Sequence, residues 1–273
     1  MNLDELHMVV GWAADEGWNP GLNDAYCFYS TDPGAFLMGV LDDKPVGSIS
    51  AVSYGTHFGF LGLFIVLPPY RRNGYGQRLW KAAMARMEGR CAGLDAVTAQ
   101  QANYEKSGFA RAYLNIRHAG RASGASGVQK GLVALDQIPF ESLCAYDRRY
   151  FPSSRMKFLK SWTSLPDSVG LACQGRHGTE GYGVIRPCRN GYKIGPLFAD
   201  DPERAESLFN ALQGSVPKGS TVFLDTPEVN PAALELAHAH GMVPTFEVAR
   251  MYRGVPPAID TGGIFGVTTF ELG

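Results

Sequence analysis

Residues 66–80 read Val66-Leu67-Pro68-Pro69-Tyr70-Arg71-Arg72-Asn73-Gly74-Tyr75-Gly76-Gln77-Arg78-Leu79-Trp80, and the fold is decided by how this stretch is read. An apolar strand pattern, Phe58 to Leu67, runs into a basic, glycine-spaced turn and directly into a helix with an apolar stripe of Leu79, Trp80, Ala83, Met84 and Met87. Such a turn points several backbone N–H groups at one spot, and the helix N-terminus adds partial positive charge there. The two together form a seat for a phosphate or pyrophosphate. Gly74 and Gly76 let the backbone approach the anion and take dihedrals that a Cβ opposes, while Arg71, Arg72 and Arg78 attract it from a distance. No Gly-Lys-Ser/Thr follows, so this is not a Walker A loop, and the full Gly-x-Gly-x-x-Gly of a dinucleotide fold is missing. Read by itself, the loop is equally an ordinary solvated connection between strand and helix.

Upstream, Asn2 and Glu5 form a capping box, and Leu3, Leu6, Val10 and Ala13 recur at helical spacing. Gly17-Trp18-Asn19-Pro20-Gly21 is a loop of breakers around one tryptophan. A short helix over 24–30 and strands over 36–41 and 46–54 complete the approach to the glycine loop. Downstream, a strand over 94–99, a short helix over 101–107 closed by Gly108 at its C′ position, and a strand over 109–116 follow. Ala119 to Gly127 is a small-residue stretch of the flexible kind, and the domain boundary is placed there. The second half predicts helices over 139–149 and 154–163 and strands over 169–174, 181–186 and 192–197. A helix over 202–213, a strand over 221–225, a helix over 231–240 and strands over 245–253 and 264–272 follow. In each half a glycine ends a helix, Gly108 or Gly241, and an arginine lies nine residues later, Arg117 or Arg250. This reads as two copies of one α/β unit. The segment of the second copy that corresponds to the arginine-rich loop, Gly195 to Glu203, has no glycine pair and places Asp200 and Asp201 at the helix start. Those carboxylates cap the helix themselves and each opposes a polyphosphate by about 0.3–1 kcal/mol.

The length of 273 residues fits about two domains. No apolar run approaches the roughly 18 residues of a membrane span, and the acidic start Met1-Asn2-Leu3-Asp4-Glu5 is unlike a signal peptide. Five cysteines without a Cys-x-x-Cys pair point to reduced thiols in a cytoplasmic protein. A net charge of −1 gives no reason to expect nucleic acid as a partner, and no residue spacing marks a metal site: His238 and His240 point apart on a helix.

With the loop, its flanking strand and the downstream Tyr104-Glu105-Lys106-Ser107-Gly108-Phe109 together, residues 3–118 resemble the GNAT superfamily of acetyl-CoA-dependent N-acyltransferases. The remainder resembles a degenerate second copy, and the Gly-Trp-Asn-Pro-Gly loop and the tail Phe270-Glu271-Leu272-Gly273 look like a bacterial tandem subgroup. The resemblance implies an α/β chain with a mixed α+β sheet and two GNAT-like domains, residues 1–120 catalytic and residues 128–273 degenerate and contributing to the acceptor site. It implies that Phe64, Ile65 and Val66 hold the pantetheine arm of acetyl-CoA, and that Arg71, Arg72, Asn73, Gly74, Tyr75 and Gly76 hold the pyrophosphate. Gln100 and Asn103 are further candidate contacts to the cofactor. The family's frequent asparagine seven residues before the tyrosine is replaced by Val97.

Tyr104 is the candidate general acid, placed beside the thioester sulfur. The family's glutamate on the strand before the loop is missing, since Phe58 to Leu67 contains no acid. Asp24, His57, Asp225 and Glu228 are candidate bases or acceptor contacts, and Trp18 is a candidate acceptor contact. Cys27 and Cys91 have no sequence neighbour that would activate an acyl-enzyme thiol. The expected activity is direct transfer of acetyl to a primary amine of a small molecule, without a metal. The alternatives are an acyl-CoA-binding sensor or interaction module, and a peptide or protein acetyltransferase. Oligomeric state is not legible.

Overall fold

The computed structural model describes residues 1–124, 131–176 and 178–273. The first half supplies α1 (Leu3–Asp15), α2 (Asp24–Thr31), β1 (Phe36–Leu41), β2 (Lys44–Tyr54), β3 (Phe58–Val66), α3 (Tyr75–Arg86), β4 (Cys91–Val97), α4 (Gln101–Glu105) and β5 (Ala110–Arg121). The second supplies β6 (Leu132–Ala134), α5 (Phe140–Asp147), α6 (Met156–Trp162), β7 (Val169–Gly175), β8 (Gly178–Pro187) and β9 (Tyr192–Ala199). It continues through α7 (Pro202–Gly214), β10 (Thr221–Pro227), α8 (Pro231–Ala239), β11 (Val243–Arg253) and β12 (Ile264–Gly266). The α1 capping box forms as expected: the Asn2 side chain accepts from the Glu5 amide and the Glu5 carboxylate accepts from the Asn2 amide. The buried face of the helix is Leu6, Val9, Val10 and Ala13.

The described strands form one mixed sheet in the order β1-β2-β3-β4-β11-β5-β10-β9-β8-β7-β6, with β12 added against β9. The two halves exchange their last strands. β11 of the second half lies between β4 and β5, antiparallel to both, and β5 of the first half lies between β11 and β10. The exchange carries the internal repeat into the side chains. Arg117 on β5 makes a two-point ion pair with Asp225 on β10 (2.7 and 2.8 Å), and Arg250 on β11 makes one with Asp95 on β4 (both 2.7 Å). Gly108 and Gly241 both adopt positive φ, 84° and 64°, at the ends of their helices. The largest apolar cluster accordingly runs through both halves, from Leu6 and Phe28 to Trp162, Phe198 and Leu272.

Two expectations are corrected by this arrangement. Ala119, Gly120 and Arg121 are not spacer but the end of β5, paired to Phe223, Val222 and Thr221. Gly120 is small because a Cβ there would stand 2.8 Å from the Met242 side chain, so composition that resembles a flexible linker reflects close packing. The rest of the expected linker, from residue 125, lies outside the described residues. The last expected strand, 264–272, is a strand only over Ile264–Gly266, and residues 267–273 continue as a buried tail. The short β6 was not expected.

Candidate active site

β3 and β4 are parallel neighbours only from Phe58↔Cys91 to Leu61↔Leu94, and beyond that point they part. The divergence begins at a bulge. On β2, Ser48 pairs with Ile65 and Ser50 with Gly62, so Leu63 and Phe64 together face Ile49. Leu63 takes φ 46°, an unusual value for a non-glycine residue, and its carbonyl accepts the Ser48 hydroxyl at 2.7 Å. Into the gap opens a cleft of about 940 Å³, walled by Phe64, Ile65 and Val66 on one side and by Val97, Gln100 and Asn103 on the other. Beneath it, toward the closed end of the fork, lies a smaller cavity of about 80 Å³. Trp18, Phe64, Trp80, Val97, Gln100, Tyr104 and Phe246 line both spaces.

The glycine loop forms the outer rim of the cleft. Gly74 is the N-cap of α3 at φ 80°, and Arg72 is also left-handed at φ 65°. The amides of Tyr75, Gly76 and Gln77 lie in the first helical turn, where no intrahelical acceptor exists, so they are available to an anion. Gly76 stacks against Phe64 and Val66, and a Cβ there would meet Val66 at an ordinary 3.4 Å. The glycine that the backbone conformation demands is therefore Gly74. Arg71 does not stand free: its Nε donates to the Val66 carbonyl at 2.8 Å and its guanidinium pairs with Glu16 at the lip of the cleft. The Asn73 side chain donates to the Arg71 carbonyl at 3.1 Å and so stiffens the loop.

Tyr104 sits on the short α4, packed on Trp80 (ring centroids 5.3 Å) and Phe109 (6.3 Å). Burial pushes its phenol up to about 12, so it carries its proton at neutral pH. Gln100 and Asn103 are joined by a 2.8 Å hydrogen bond. Trp18 is fixed by its own backbone, since its carbonyl accepts from Arg117 Nη1 at 2.7 Å. The Arg117 guanidinium also lies 4.9 Å from the Phe270 ring and 5.8 Å from the Phe246 ring. One buried arginine therefore holds three aromatic walls of the cavity.

Other candidate residues are placed elsewhere. Asp24 is buried in a two-point ion pair with Arg186 (2.8 and 3.1 Å) and accepts the Gly21 amide. Asp225 is buried against Arg117. The Glu228 side chain accepts the Leu114 amide at 2.8 Å, substituting for a strand partner. His57 is exposed in the turn before β3. None of these four is among the residues lining the cavity or the cleft. Burial raises the thiols of Cys27 and Cys91 above their ordinary values, so neither is an activated nucleophile. Among the described residues no cluster of His, Cys, Asp or Glu could hold a metal ion, and no helix is long and apolar enough to cross a membrane.

Two carboxylates that the sequence reading passed over do line the cavity, Asp95 and Glu271. Asp95 carries a local signal, a single acid inside an otherwise apolar strand. Glu271 belongs to the tail singled out above, but nothing in the sequence indicates that the tail crosses to β3. The contact is made possible by Gly62, where a Cβ would lie 2.0 Å from the Glu271 carbonyl oxygen.

The parallel pair β3 and β4 thus forks, with a glycine-capped helix at the mouth of the fork and Tyr104 in its wall. Residues 4–109 match the Acetyltransferase (GNAT) family and residues 143–266 match an Acetyltransferase (GNAT) domain. The chain is 31% identical over 276 residues to the holothin acyltransferase of Pseudoalteromonas sp. (strain SANK 73390), covering 100% of this chain and 92% of that one. The chain belongs to the GNAT acetyltransferase family, with two GNAT domains in tandem. Among solved structures it resembles a putative acetyltransferase from Pyrococcus horikoshii, with a TM-score of 0.85 and 22% identity across 100% of this chain and 94% of that one. It also resembles a tandem GNAT protein from the clavulanic acid biosynthesis pathway, with a TM-score of 0.62 and 14% identity across 94% and 95%.

Proposed function

We propose that this protein is an acetyl-CoA-dependent N-acetyltransferase that acetylates a primary amine of a small molecule by direct transfer within a ternary complex. The observation that carries this reading is the continuity of the two spaces: a cleft of about 940 Å³ leads past Tyr104 into a cavity of about 80 Å³. In this reading Phe64, Ile65 and Val66 pair with the pantetheine arm and residues 71–76 receive the pyrophosphate. The thioester then lies between Tyr104 and the aromatic group Trp18, Phe246 and Phe270. The enclosed cavity favours a small acceptor over a peptide segment, and its aromatic walls favour a flat, apolar amine.

The amine lone pair forms the new C–N bond and the C–S bond breaks. Ordinary thiols titrate at about 8.5, so a phenol raised to about 12 is the weaker acid. Tyr104 therefore serves the departing sulfur as a hydrogen-bond donor, and the thiolate takes its proton from solvent on release. The test is thiol release with acetyl-CoA and a panel of benzylamine, aniline, putrescine and a lysine peptide, comparing the protein with Tyr104→Phe. Turnover with the aromatic amines should fall at least about tenfold in the variant with acetyl-CoA affinity unchanged. Tight acetyl-CoA binding with no amine-dependent thiol release would instead identify a sensor. Preference for the lysine peptide would identify a protein acetyltransferase.

A further inference from the structure

Transfer to an amine requires that an N–H proton leave the nitrogen, and β3 offers no acid to take it. The cavity has two carboxylates. Asp95 is committed: both its oxygens accept from Arg250 at 2.7 Å, and one also accepts from Asn115 at 3.0 Å. Glu271 is differently placed. It is 3% exposed and lines the cavity that Tyr104 and Trp18 also line. One of its carboxylate oxygens accepts the Thr269 hydroxyl, while the other receives no hydrogen bond from the described residues. The Arg117 and Arg186 guanidiniums lie within Coulombic reach of it.

The tail that carries it is firmly seated. Arg155 donates to the Gly273 carbonyl at 3.1 Å and to the Thr268 hydroxyl at 3.0 Å, and is itself held by both oxygens of Asp147 at 2.7 and 2.9 Å. The Tyr54 hydroxyl donates to the Leu272 carbonyl at 3.0 Å. At Gly62 the tail backbone presses directly on β3, at the residue before the bulge where the fork opens. A carboxylate thus reaches the fork from the far end of the chain, beside a strand that lacks one of its own.

We propose that Glu271 is the proton acceptor of the transfer reaction, an inference that rests on the acetyltransferase reading above. As the amine nitrogen bonds to the thioester carbonyl carbon, its N–H proton passes to the free oxygen of Glu271. The C–S electron pair leaves with the sulfur, hydrogen-bonded by Tyr104, and Glu271 returns its proton to solvent when the products depart. The balance needs no further reactant.

Glu271→Gln keeps the shape and the Thr269 contact but cannot take the proton. With benzylamine as the probe, turnover at saturating acetyl-CoA should fall about 100-fold, while acetyl-CoA affinity stays within about twofold and the melting temperature within about 2 °C. A variant that turns over within about threefold of the wild type overturns the role of Glu271 and leaves the acetyltransferase reading intact. Loss of acetyl-CoA binding or early melting in the variant marks Glu271 as structural and overturns the role as well. If the wild-type protein releases no thiol with any amine of the panel, both readings fall together.

Discussion

The two GNAT copies each contain a fork between parallel strands, and the two forks have opposite fates. In the first, β3 and β4 separate after Leu61↔Leu94 and the gap is the open cleft. In the second, β9 and β10 pair from Tyr192↔Val222 to Ile194↔Leu224 and then separate in the same way. That gap is filled by the chain's own β12, which pairs with β9 through Ile264↔Phe198 and Gly266↔Leu197, while the Val267 amide donates to the Asp225 carbonyl at 2.8 Å. The peptide thus occupies the position that pantetheine takes in the first copy under the proposed reading. The helix mouth differs to match. Asp201 caps α7 by accepting the Arg204 amide, and Asp200 accepts from Tyr146, Arg149 and Tyr150. A fork closed by strand and capped by carboxylates has neither room nor charge for a coenzyme. The same duplicated unit is an open cleft in one place, a ligand site under the proposed reading, and a structural support in the other, and the strand that closes the second fork continues as the tail that reaches the first.

The exchanged strands make the largest prediction. Arg117–Asp225 and Arg250–Asp95 are equivalent buried pairs, and breaking one by removing a single partner strands a buried charge, at a cost of about 3–5 kcal/mol. Asp225→Asn and Asp95→Asn should therefore destabilise comparably in urea unfolding. They should differ in function, because Asp95 lines the cavity and Asp225 does not. Retained turnover in the Asp225 variant and reduced turnover in the Asp95 variant, both measured in buffer where each is folded, would sharpen the contrast. Equal losses of activity would break it.

A second prediction concerns the helix mouths. Charge reversal of Arg71 and Arg72 together with Gly74→Val should weaken acetyl-CoA binding about 100-fold, because it removes attraction and forces a branched side chain into φ 80° at the cap. Asp200→Ala with Asp201→Ala should leave that affinity unchanged, and titration should return one acetyl-CoA per chain before and after. If the first variant binds as tightly as the wild type, the glycine loop is not the phosphate seat.

How much of this was legible beforehand divides along the line between local and long-range interactions. The loop, its strand and helix, the capping box and Tyr104 are each read from residues close together in sequence, and the loop, its strand and helix and Tyr104 meet at one cleft. The repeat is visible as Gly108/Arg117 and Gly241/Arg250, although no residue near either arginine indicates that its partner lies in the other copy. Asp24 and Asp225 misled for a physical reason. An isolated acid near a presumed site looks the same in sequence whether it faces a ligand or a buried guanidinium. Glu271, Phe246 and Phe270 were not recognised as site residues, since their approach to β3 depends on strand exchange and on the absence of a side chain at Gly62. Ala119 and Gly120 misled in the opposite way, because small residues serve tight packing as readily as flexibility.

The plug itself supplies a third, smaller effect. Val267→Pro removes the amide that ties β12 to β10 and leaves the Asp225 carbonyl one partner short, which should cost about 1–3 kcal/mol. In a chain of this size the melting temperature should drop by a few degrees to about 10 °C. The second fork should still bind no coenzyme, since its aspartates remain. A second equivalent of acetyl-CoA in that variant would show that the strand alone, and not the charge at the helix mouth, keeps the second copy empty.

The smallest effect is read from pH. Burial opposes ionisation of Asp24 and Asp225, but the guanidiniums of Arg186 and Arg117 outweigh it and hold both carboxyls below their usual range. A carboxyl with a depressed folded value adds stability that is fully present above its unfolded value, about 3.9, and is lost as pH falls through the folded value. Melting temperature should thus be insensitive to these two groups from pH 5 to 7 and decline below about pH 4. Asp225→Asn removes one of the two contributions, so its melting curve should start lower and fall less steeply with acid than that of the wild type. Parallel acid limbs in the two proteins would mean that Asp225 is no more ionised in the folded chain than in the unfolded one, and that the pair joining the two copies is held by hydrogen bonds and packing instead of charge.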